Sequence, residues 1–233
     1  MSQLVYTARA FGLELTSAQL NAFEIYYREL NEWNARVNLT AITERDQVLV
    51  KHFLDSLSIA PLLGSASSLI DIGTGAGFPG VPLKIVFPHL HLTLLEATRK
   101  KVEFLKHIIG ELQLQNTLAI QARAEDLGHD PAHRAQYDCA LARAVAELAT
   151  LFEYSLPFVR IGGIFIAQKG VAVEDEIRGA ERALNLLGGR VREIVPVQLP
   201  GLELRHLVVV EKTAATPSTY PRRAGIPERK PLK

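Results

Sequence analysis

The chain is poor in cysteine and has no long apolar run, the features of disulfide-bonded, zinc-binding and membrane-spanning proteins. Cysteine occurs once, as Cys139, so no disulfide can form within the chain and a cysteine-based zinc site is excluded. No apolar run reaches the roughly 18 residues of a membrane-spanning helix. The N-terminus also lacks the basic and apolar regions of a signal peptide. We therefore expect a cytoplasmic protein with no membrane partner and no metal.

An excess of charge of either sign is also missing, because 26 Lys and Arg face 25 Asp and Glu. The distribution of the charges is more informative. Residues 220–233 contain five Lys or Arg and one Glu, and Arg99, Lys100 and Lys101 form a second basic cluster. For either cluster alone, a solvated surface is the preferred interpretation, so neither one establishes a nucleic-acid partner.

A glycine-rich turn after a short apolar run is the most informative segment. Asp71 is followed by Gly73, Gly75 and Gly77 at every second position. Glycine permits a positive φ and lets a ligand approach the backbone closely. The dinucleotide fingerprint would need glycine at position 78, where this chain has Phe78. The pattern D-x-G-x-G-x-G resembles the first motif of S-adenosylmethionine-dependent methyltransferases, although a purely structural turn is the alternative.

Strand and helix patterns alternate between residues 68 and 212. The predicted strands are 68–73, 92–97, 118–122, 137–143, 163–169, 191–199 and 206–212, and the predicted helices are 80–87, 98–114, 124–128, 145–160 and 173–188. Five strand–helix units predict a parallel sheet with helices on both faces. The short Pro200-Gly201 turn makes the last two strands an antiparallel hairpin. This α/β, doubly wound, seven-stranded arrangement resembles the class I methyltransferase variant of the Rossmann fold.

The residues before position 62 have helical periodicity. A capping box at Thr16 and Gln19 predicts the start of one amphipathic helix, and a second helix is predicted from Thr43 to Pro61. We therefore expect three parts: a helical extension over 1–62, a cofactor-binding Rossmann-like domain over 63–212, and a basic tail over 213–233 packed on that domain.

Ligands of open parallel sheets bind at the carboxyl ends of the strands, so the residues at those ends are candidates. Glu96 ends the second strand and could accept hydrogen bonds from both ribose hydroxyls, or could act only as a charge at a helix start. Ala124 and Glu125 follow the third strand and could bound an adenine. Arg143 ends the fourth strand, where it needs a ligand, a phosphate or a structural carboxylate. We expect Arg143 in the cofactor pocket, and Glu125 could pair with it.

The chain lacks the residues of several other methyl-transfer reactions. The tetrapeptide typical of amino-group methylation of nucleic acids is missing after the fourth strand, where the chain reads Ala142-Arg-Ala-Val-Ala146. Pyrimidine C5 methylation needs a cysteine nucleophile, and we expect Cys139 to lie in the core. The N7 of guanine needs neither a cysteine nor a base, because its lone pair carries no proton. Methylation of an oxygen stays open.

The motifs taken together resemble one family. They are Asn38-Leu39-Thr40, His52-Phe53-x-Asp55-Ser56, Asp71 to Gly80, Leu95-Glu96, Lys100-Lys101-x-x-Phe104-Leu105, Arg123-Ala124-Glu125, Arg143-Ala144, Lys169-Gly170 and Tyr220-Pro-Arg-Arg-x-Gly-x-Pro. From about residue 20 to the C-terminus, the chain resembles the glucose-inhibited division protein B family, also called RsmG. The resemblance implies an S-adenosyl-L-methionine-dependent methyltransferase. Its target would be N7 of guanine 527, in the 530 loop of 16S ribosomal RNA within the small subunit.

The resemblance and the strand ends together define the expected site. The expected cofactor contacts are Gly73, Gly75, Phe78, Glu96, Ala124, Glu125 and Arg143, and the expected RNA contacts are Lys100, Lys101, Arg123, Lys169, Arg222 and Arg223. We expect no general base, no metal and a monomer. Two other functions stay open, namely methylation of a small molecule and RNA binding without catalysis. If the tail holds RNA, its removal spares cofactor affinity; if it is a structural strap, its removal lowers stability.

Overall fold

The computed structural model describes residues 1–143, 146–171 and 173–233. It contains a seven-stranded sheet with the order β3-β2-β1-β4-β5-β7-β6. The strands are β1 (Ser68–Ile72), β2 (His91–Glu96), β3 (Thr117–Gln121), β4 (Tyr137–Arg143), β5 (Val159–Lys169), β6 (Gly189–Val197) and β7 (Arg205–Lys212). All seven predicted strands are confirmed; β4 has the predicted bounds, and the bounds of the other six differ by at most four residues.

Strand direction follows the sequence-based expectation. Strands β1 to β5 pair in parallel, whereas β7 is antiparallel to both β5 and β6. In the sheet, β7 lies between β5 and β6, so the last strand of the sequence is not an edge strand. The carboxyl ends of β1 to β5 consequently meet at one edge, where the candidate site lies.

Alternating side chains divide the core between the two faces of the sheet. Leu69, Cys139 and Leu141 belong to one cluster, and Ile70 and Ala140 belong to the other. This alternation is the two-residue period of a strand that is covered on both faces. Cys139 is fully buried, as expected.

Helices cover both faces of the sheet. They are α1 (Ser2–Ala8), α2 (Ser17–Val37), α3 (Arg45–Val48), α4 (Asp55–Leu57), α5 (Gly80–Val86), α6 (Arg99–Glu111), α7 (Ala124–Leu127), α8 (Leu148–Ser155), α9 (Val173–Gly179), α10 (Glu181–Leu186) and α11 (Ile226–Arg229). The predicted helix 173–188 is divided at Ala180 into α9 and α10. The predicted start of helix 145–160 falls on Val145, which lies outside the described residues, as does Ala144.

The N-terminal helices share a hydrophobic core with α5, α6 and the sheet. The capping box of α2 is confirmed, because the Gln19 amide donates to Thr16 Oγ1 and the Thr16 amide donates to Gln19 Oε1. A π-helical turn, Leu49–Leu54, joins α3 to α4. The predicted stop at Pro61 is wrong in detail, because α4 ends at Leu57 and Pro61 lies in a separate 3-10 turn.

The C-terminal tail packs against the domain, as expected. The Arg134 guanidinium donates to the carbonyl oxygens of Thr216, Pro217 and Tyr220 at 2.8–3.1 Å. No helix of the described chain is both long and apolar enough to cross a bilayer.

Candidate functional site

A cavity of about 350 Å³ opens at the carboxyl edge of the sheet. This volume lies within the range of small-molecule sites, roughly 300–1,000 Å³. Its walls come from the ends of β1, β2, β3 and β4, with additions from α8 and the tail. The lining residues are Ile72, Gly73, Leu95, Glu96, Ala97, Lys101, Ala122, Arg123, Ala124, Glu125, Arg143, Ala146, Tyr154 and Glu228.

The glycine-rich turn takes backbone conformations that favour glycine. Gly73 and Gly75 have φ values of 65° and 62°. A Cβ at Gly75 would meet no atom within 4 Å, so a side chain there would extend into open space. The turn is held from behind, because the Tyr26 hydroxyl donates to the Ala76 carbonyl at 2.5 Å.

Asp71 fixes the turn from beneath. Its Oδ2 accepts hydrogen bonds from Thr74 Oγ1 at 2.5 Å and from the Gly80 amide at 2.8 Å, while its other carboxylate oxygen has no partner among the described residues. Burial raises the pKa of Asp71 to about 6, against the lowering effect of these hydrogen bonds. Asp71 does not line the cavity, so its role is to shape the turn that does.

Glu96 accepts a backbone hydrogen bond just before α6 and also lines the cavity, so a contact with ribose hydroxyls stays a prediction. Its Oε1 accepts from the Thr98 amide at 2.8 Å, just before α6, and its Oε2 accepts from the Gly75 amide at 3.0 Å. Each carboxylate oxygen has two lone pairs, so acceptor capacity remains for hydroxyl groups of a ligand. The carboxylate therefore joins the β2 end to the glycine turn and also faces the cavity.

Arg143 lines the cavity but does not pair with Glu125, so the pair considered from the sequence is wrong. Its guanidinium donates to Asp55 Oδ2 at 3.0 Å and to the Lys51 carbonyl at 3.1 Å. Asp55 is 1% exposed, and it comes from the N-terminal helical segment, 88 residues away in the chain. The structural ion pair and the cavity position therefore coexist.

His52 completes this cluster as a neutral side chain. Its ring stacks on Phe78 at a centroid distance of 4.5 Å, and burial, followed by the charge of Arg143, lowers its pKa to about 3. Arg143 Nη2 lies 3.3 Å from His52 Nδ1. His52 Nδ1 also lies 3.2 Å from the Lys51 carbonyl, and Nε2 lies 3.0 Å from Thr40 Oγ1.

Phe78 lies under the glycine turn rather than in the cavity wall. It is 5% exposed, its ring packs on Tyr26, and the Arg143 guanidinium lies 5.1 Å from its centroid. Any contact with a cofactor would therefore run through its backbone or through Arg143.

The β3 side of the cavity carries two carboxylates and a phenol. Ala124 and Glu125 are both buried, and Glu125 Oε1 accepts from the Gly225 amide of the tail at 2.8 Å. Burial, followed by the charges of Glu125 and Glu228, raises the pKa of the Tyr154 hydroxyl. The sequence did not identify Tyr154 or Glu228 as site residues.

The expected RNA-binding cations divide into two groups. Lys100 and Arg123 are exposed, and Lys101 and Arg123 line the cavity. Lys169, in contrast, is 13% exposed, and its amine lies 2.8 Å from Glu176 and donates to the Ala146 carbonyl. Lys169, an expected RNA contact, is therefore paired within the protein.

Arg222 is committed inside the protein. Its guanidinium contacts both carboxylate oxygens of Glu153, which is 0% exposed, at 2.7–3.2 Å. The Arg222 amide also donates to Glu153 at 2.7 Å. Arg222, an expected RNA contact, therefore has its charged partner within the protein, on α8, whereas Arg223 is exposed.

The comparison with protein families identifies the chain. The model of the family described as "GidB: rRNA small subunit methyltransferase G" matches residues 19–208. This chain belongs to that family. A protein from Roseiflexus castenholzii named ribosomal RNA small subunit methyltransferase G is 52% identical over 233 residues, with 100% of both chains covered. A protein of the same name from Dehalococcoides mccartyi is 51% identical, again with both chains fully covered.

Solved structures support the fold at low sequence identity. Cofactor-bound Rv0187 from MTB superposes with a TM-score of 0.58 at 14% identity, covering 82% of this chain and 89% of that one. TrmN from Thermus thermophilus has a TM-score of 0.53 at 18% identity, covering 70% and 53%. The arrangement is therefore the class I methyltransferase fold predicted from the sequence.

The structure gives a role to two family motifs for which the sequence analysis proposed none. His52 and Asp55 of the second motif contact Arg143, and Thr40 of the first motif contacts His52. The N-terminal segment thus holds Arg143, which lines the cavity. Within the described ranges, no group of three or more His, Cys, Asp or Glu could hold a metal ion.

Proposed function

We propose that this protein transfers a methyl group from S-adenosyl-L-methionine to N7 of guanine 527 in the 530 loop of 16S ribosomal RNA. The observation that carries the proposal is the Glu96 carboxylate, which lines the cavity with Gly73 and accepts a hydrogen bond from the Gly75 amide. This arrangement offers a glycine floor and a hydroxyl acceptor side by side. Membership of the family supports the ribosomal RNA substrate.

The residues present suit this cofactor. The open space at Gly75 lets a ligand lie against the turn, and Glu96 retains lone pairs for ribose hydroxyls. Ala124 and Glu125 would bound the adenine, and Arg143, which also lines the cavity, would lie near the amino-acid part. When bound, the cofactor supplies an electrophilic methyl group on a sulfonium.

Guanine N7 needs no proton removed, so the protein has to hold and align the target base rather than supply a general base. Lys101 and Arg123 line the cavity and Lys100 is exposed next to Lys101 in the chain, so phosphates could dock on these cations and fix the position of that base. A loop guanine can be unstacked at modest cost and presented to a pocket.

Chemical cleavage of the product tests the methylated atom. N7-methylguanine carries a fixed positive charge and becomes open to borohydride reduction followed by aniline cleavage. We expect RNA containing the 530 loop, or the assembled small subunit, to be cleaved at guanine 527 after reaction. Methylated RNA that resists this cleavage would show that the N7 assignment is wrong, with oxygen methylation as the next candidate.

A variant in the glycine turn tests the cofactor site. Gly75→Val would place a branched side chain in the open space and in a backbone conformation that valine rarely adopts. We expect titration calorimetry to detect no S-adenosylmethionine binding, while circular dichroism retains the folded spectrum. Gly110→Ala, in the exposed part of α6, is the matched control because no atom lies within 4 Å of its Cβ position either. Unchanged affinity in Gly75→Val would remove the turn from the site.

A further inference from the structure

The C-terminal tail contributes directly to the wall of the cavity. Glu228 lies in α11 of the tail and lines the cavity together with Ala124, Glu125 and Tyr154. The tail also touches the wall through its backbone, because the Gly225 amide donates to Glu125 Oε1 at 2.8 Å. A surface arm held away from the domain would make neither contact.

Several buried contacts hold α11 in this place. Pro227 is buried, and its carbonyl accepts a hydrogen bond from the buried hydroxyl of Thr150 at 3.1 Å. Arg222 clamps the fully buried Glu153 one turn further along α8. Thr150, Glu153 and Tyr154 all belong to α8, so one helix face carries both the anchors of the tail and one wall residue of the cavity.

The charge at this end of the cavity specifies the chemistry of its ligand. Glu125 and Glu228 contribute two carboxylates, and Arg123 supplies the cation that lies close to Tyr154. The other nearby arginines are committed elsewhere, Arg143 to Asp55 and Arg222 to Glu153. Around Tyr154 the two carboxylates therefore outnumber the single cation, which suits a group that donates hydrogen bonds; a keto oxygen would face carboxylate lone pairs, and a phosphate would face like charge.

We propose that the tail is an integral wall of the cofactor site, in which Glu228, with Glu125 held by Gly225, selects a purine that carries an amino group over one that carries a keto group. The inference rests on the proposed function, since adenine is the purine of S-adenosylmethionine. It opposes the expectation that removing the tail spares cofactor affinity. Glu228 is a specificity-determining residue here, since the chemistry of transfer requires nothing from it.

A pair of ligands that differ at one position tests the proposal. S-adenosyl-L-homocysteine has a 6-amino purine, and S-inosyl-L-homocysteine has a 6-oxo purine. Titration calorimetry with the full-length wild type is expected to show the amino ligand binding at least about tenfold tighter, the change that follows from one lost hydrogen bond and a facing lone pair. Neither ligand has a transferable methyl group, so the readout is binding alone.

Substitution of Glu228 is expected to narrow this preference. Glu228→Ala removes the hydrogen-bond acceptor, so the ratio of the affinities for the amino and keto ligands should fall. In Glu228→Gln the side-chain amide can also donate to the keto group, so this ratio should fall further. Glu111→Gln is the matched control, because Glu111 is exposed at the far end of α6. The control is expected to keep the wild-type ratio.

Truncation after Thr213 tests the larger claim, with circular dichroism to check folding. A folded truncated protein is expected to lose at least tenfold in S-adenosyl-L-homocysteine affinity, about 1.4 kcal/mol. Full affinity in that protein, or an unchanged amino-to-keto ratio in both Glu228 variants, would overturn the inference and leave the proposed function standing. Wild-type protein that binds neither ligand would instead defeat the proposed function. If truncation unfolds the chain, the Glu228 variants decide.

Discussion

Two arginine–carboxylate ion pairs join the N-terminal helices and the C-terminal tail to the central domain, and the two pairs differ in their position relative to the cavity. On the N-terminal side, Arg143 comes from the sheet and Asp55 from the added helices. On the C-terminal side, the carboxylate of Glu153 comes from the domain and Arg222 from the tail. Both carboxylates are almost completely buried, 1% and 0% exposed. Only Arg143 also lines the cavity.

The surroundings of the two arginines indicate that the two ion pairs have different roles. Arg222 has both carboxylate oxygens of Glu153 within reach, and its remaining contact is the Lys230 carbonyl of the tail itself. Arg143 also lies near the neutral His52 and over the ring of Phe78. We infer that the Arg222 pair acts mainly on stability, whereas the Arg143 pair acts on stability and on the cofactor.

The largest expected effect concerns Arg222→Ala. This change would leave the Glu153 carboxylate buried without its partner, and breaking a buried pair costs about 3 kcal/mol or more. Urea unfolding should report the loss. Arg223→Ala is the control, since Arg223 is exposed and its removal should change the free energy of unfolding by less than about 0.5 kcal/mol. If Arg222→Ala also lowers the free energy of unfolding by less than about 0.5 kcal/mol, the pair with Glu153 does not stabilise the fold.

Acid should destabilise the protein through His52. Its pKa is about 3 in the folded chain and 6.5 in the unfolded chain, so the unfolded chain binds more protons between these values and stability falls as the pH drops from 6.5. The expected loss from pH 6.5 to 4.5 is about 2–3 kcal/mol. Asp71 works in the opposite direction, because its pKa is raised to about 6.

Comparing variants isolates the His52 contribution. In His52→Gln the free energy of unfolding should fall less steeply as the pH drops, because the titrating imidazole is absent. Asp71 remains in both proteins, so the difference between the two curves reports His52. His89→Gln, at an exposed position, should keep the wild-type curve. Equal acid slopes in all three proteins would show that His52 does not titrate as a buried neutral group.

Arg143→Ala should weaken cofactor binding by about 1–3 kcal/mol, the usual cost of a lost charge-assisted hydrogen bond. Titration calorimetry with S-adenosylmethionine measures it, and Arg223→Ala, at an exposed position, is the control. Full cofactor affinity together with lost methylation would instead assign Arg143 to the RNA.

The smallest effects belong to the exposed cations. RNA binding should weaken steeply with salt, and Lys100→Ala or Arg123→Ala should each reduce the slope of log K against log salt by about one unit. Lys169→Ala should leave the slope unchanged, because its amine is paired with Glu176. A slope reduced equally by all three variants would place Lys169 among the RNA contacts.

The strands were predictable from the sequence because each one has a local apolar pattern. Apolar runs such as those ending at Asp71 and Glu96 are bounded by turns, and the short turn at Gly201 required an antiparallel neighbour. The position of β7 between β5 and β6 was not predictable from this pattern, because strand order depends on long-range pairing.

The side-chain partners of the site were the least predictable part. Arg143 had to meet a carboxylate or a ligand, yet its partner Asp55 lies 88 residues earlier. The charge of Arg222 looked unpartnered because Glu153 lies 69 residues away on α8. Local spacing carries no information about such pairs, and only packing of the two flanking segments brings them together.

Mass spectrometry of 16S ribosomal RNA tests the central claim most directly. In a strain that lacks this protein, guanine 527 should carry no N7-methyl group. Expression of the wild-type protein should restore the methyl group, and expression of Gly75→Val should not. A methyl group that persists at guanine 527 in the lacking strain, or one that returns with Gly75→Val, would contradict the account.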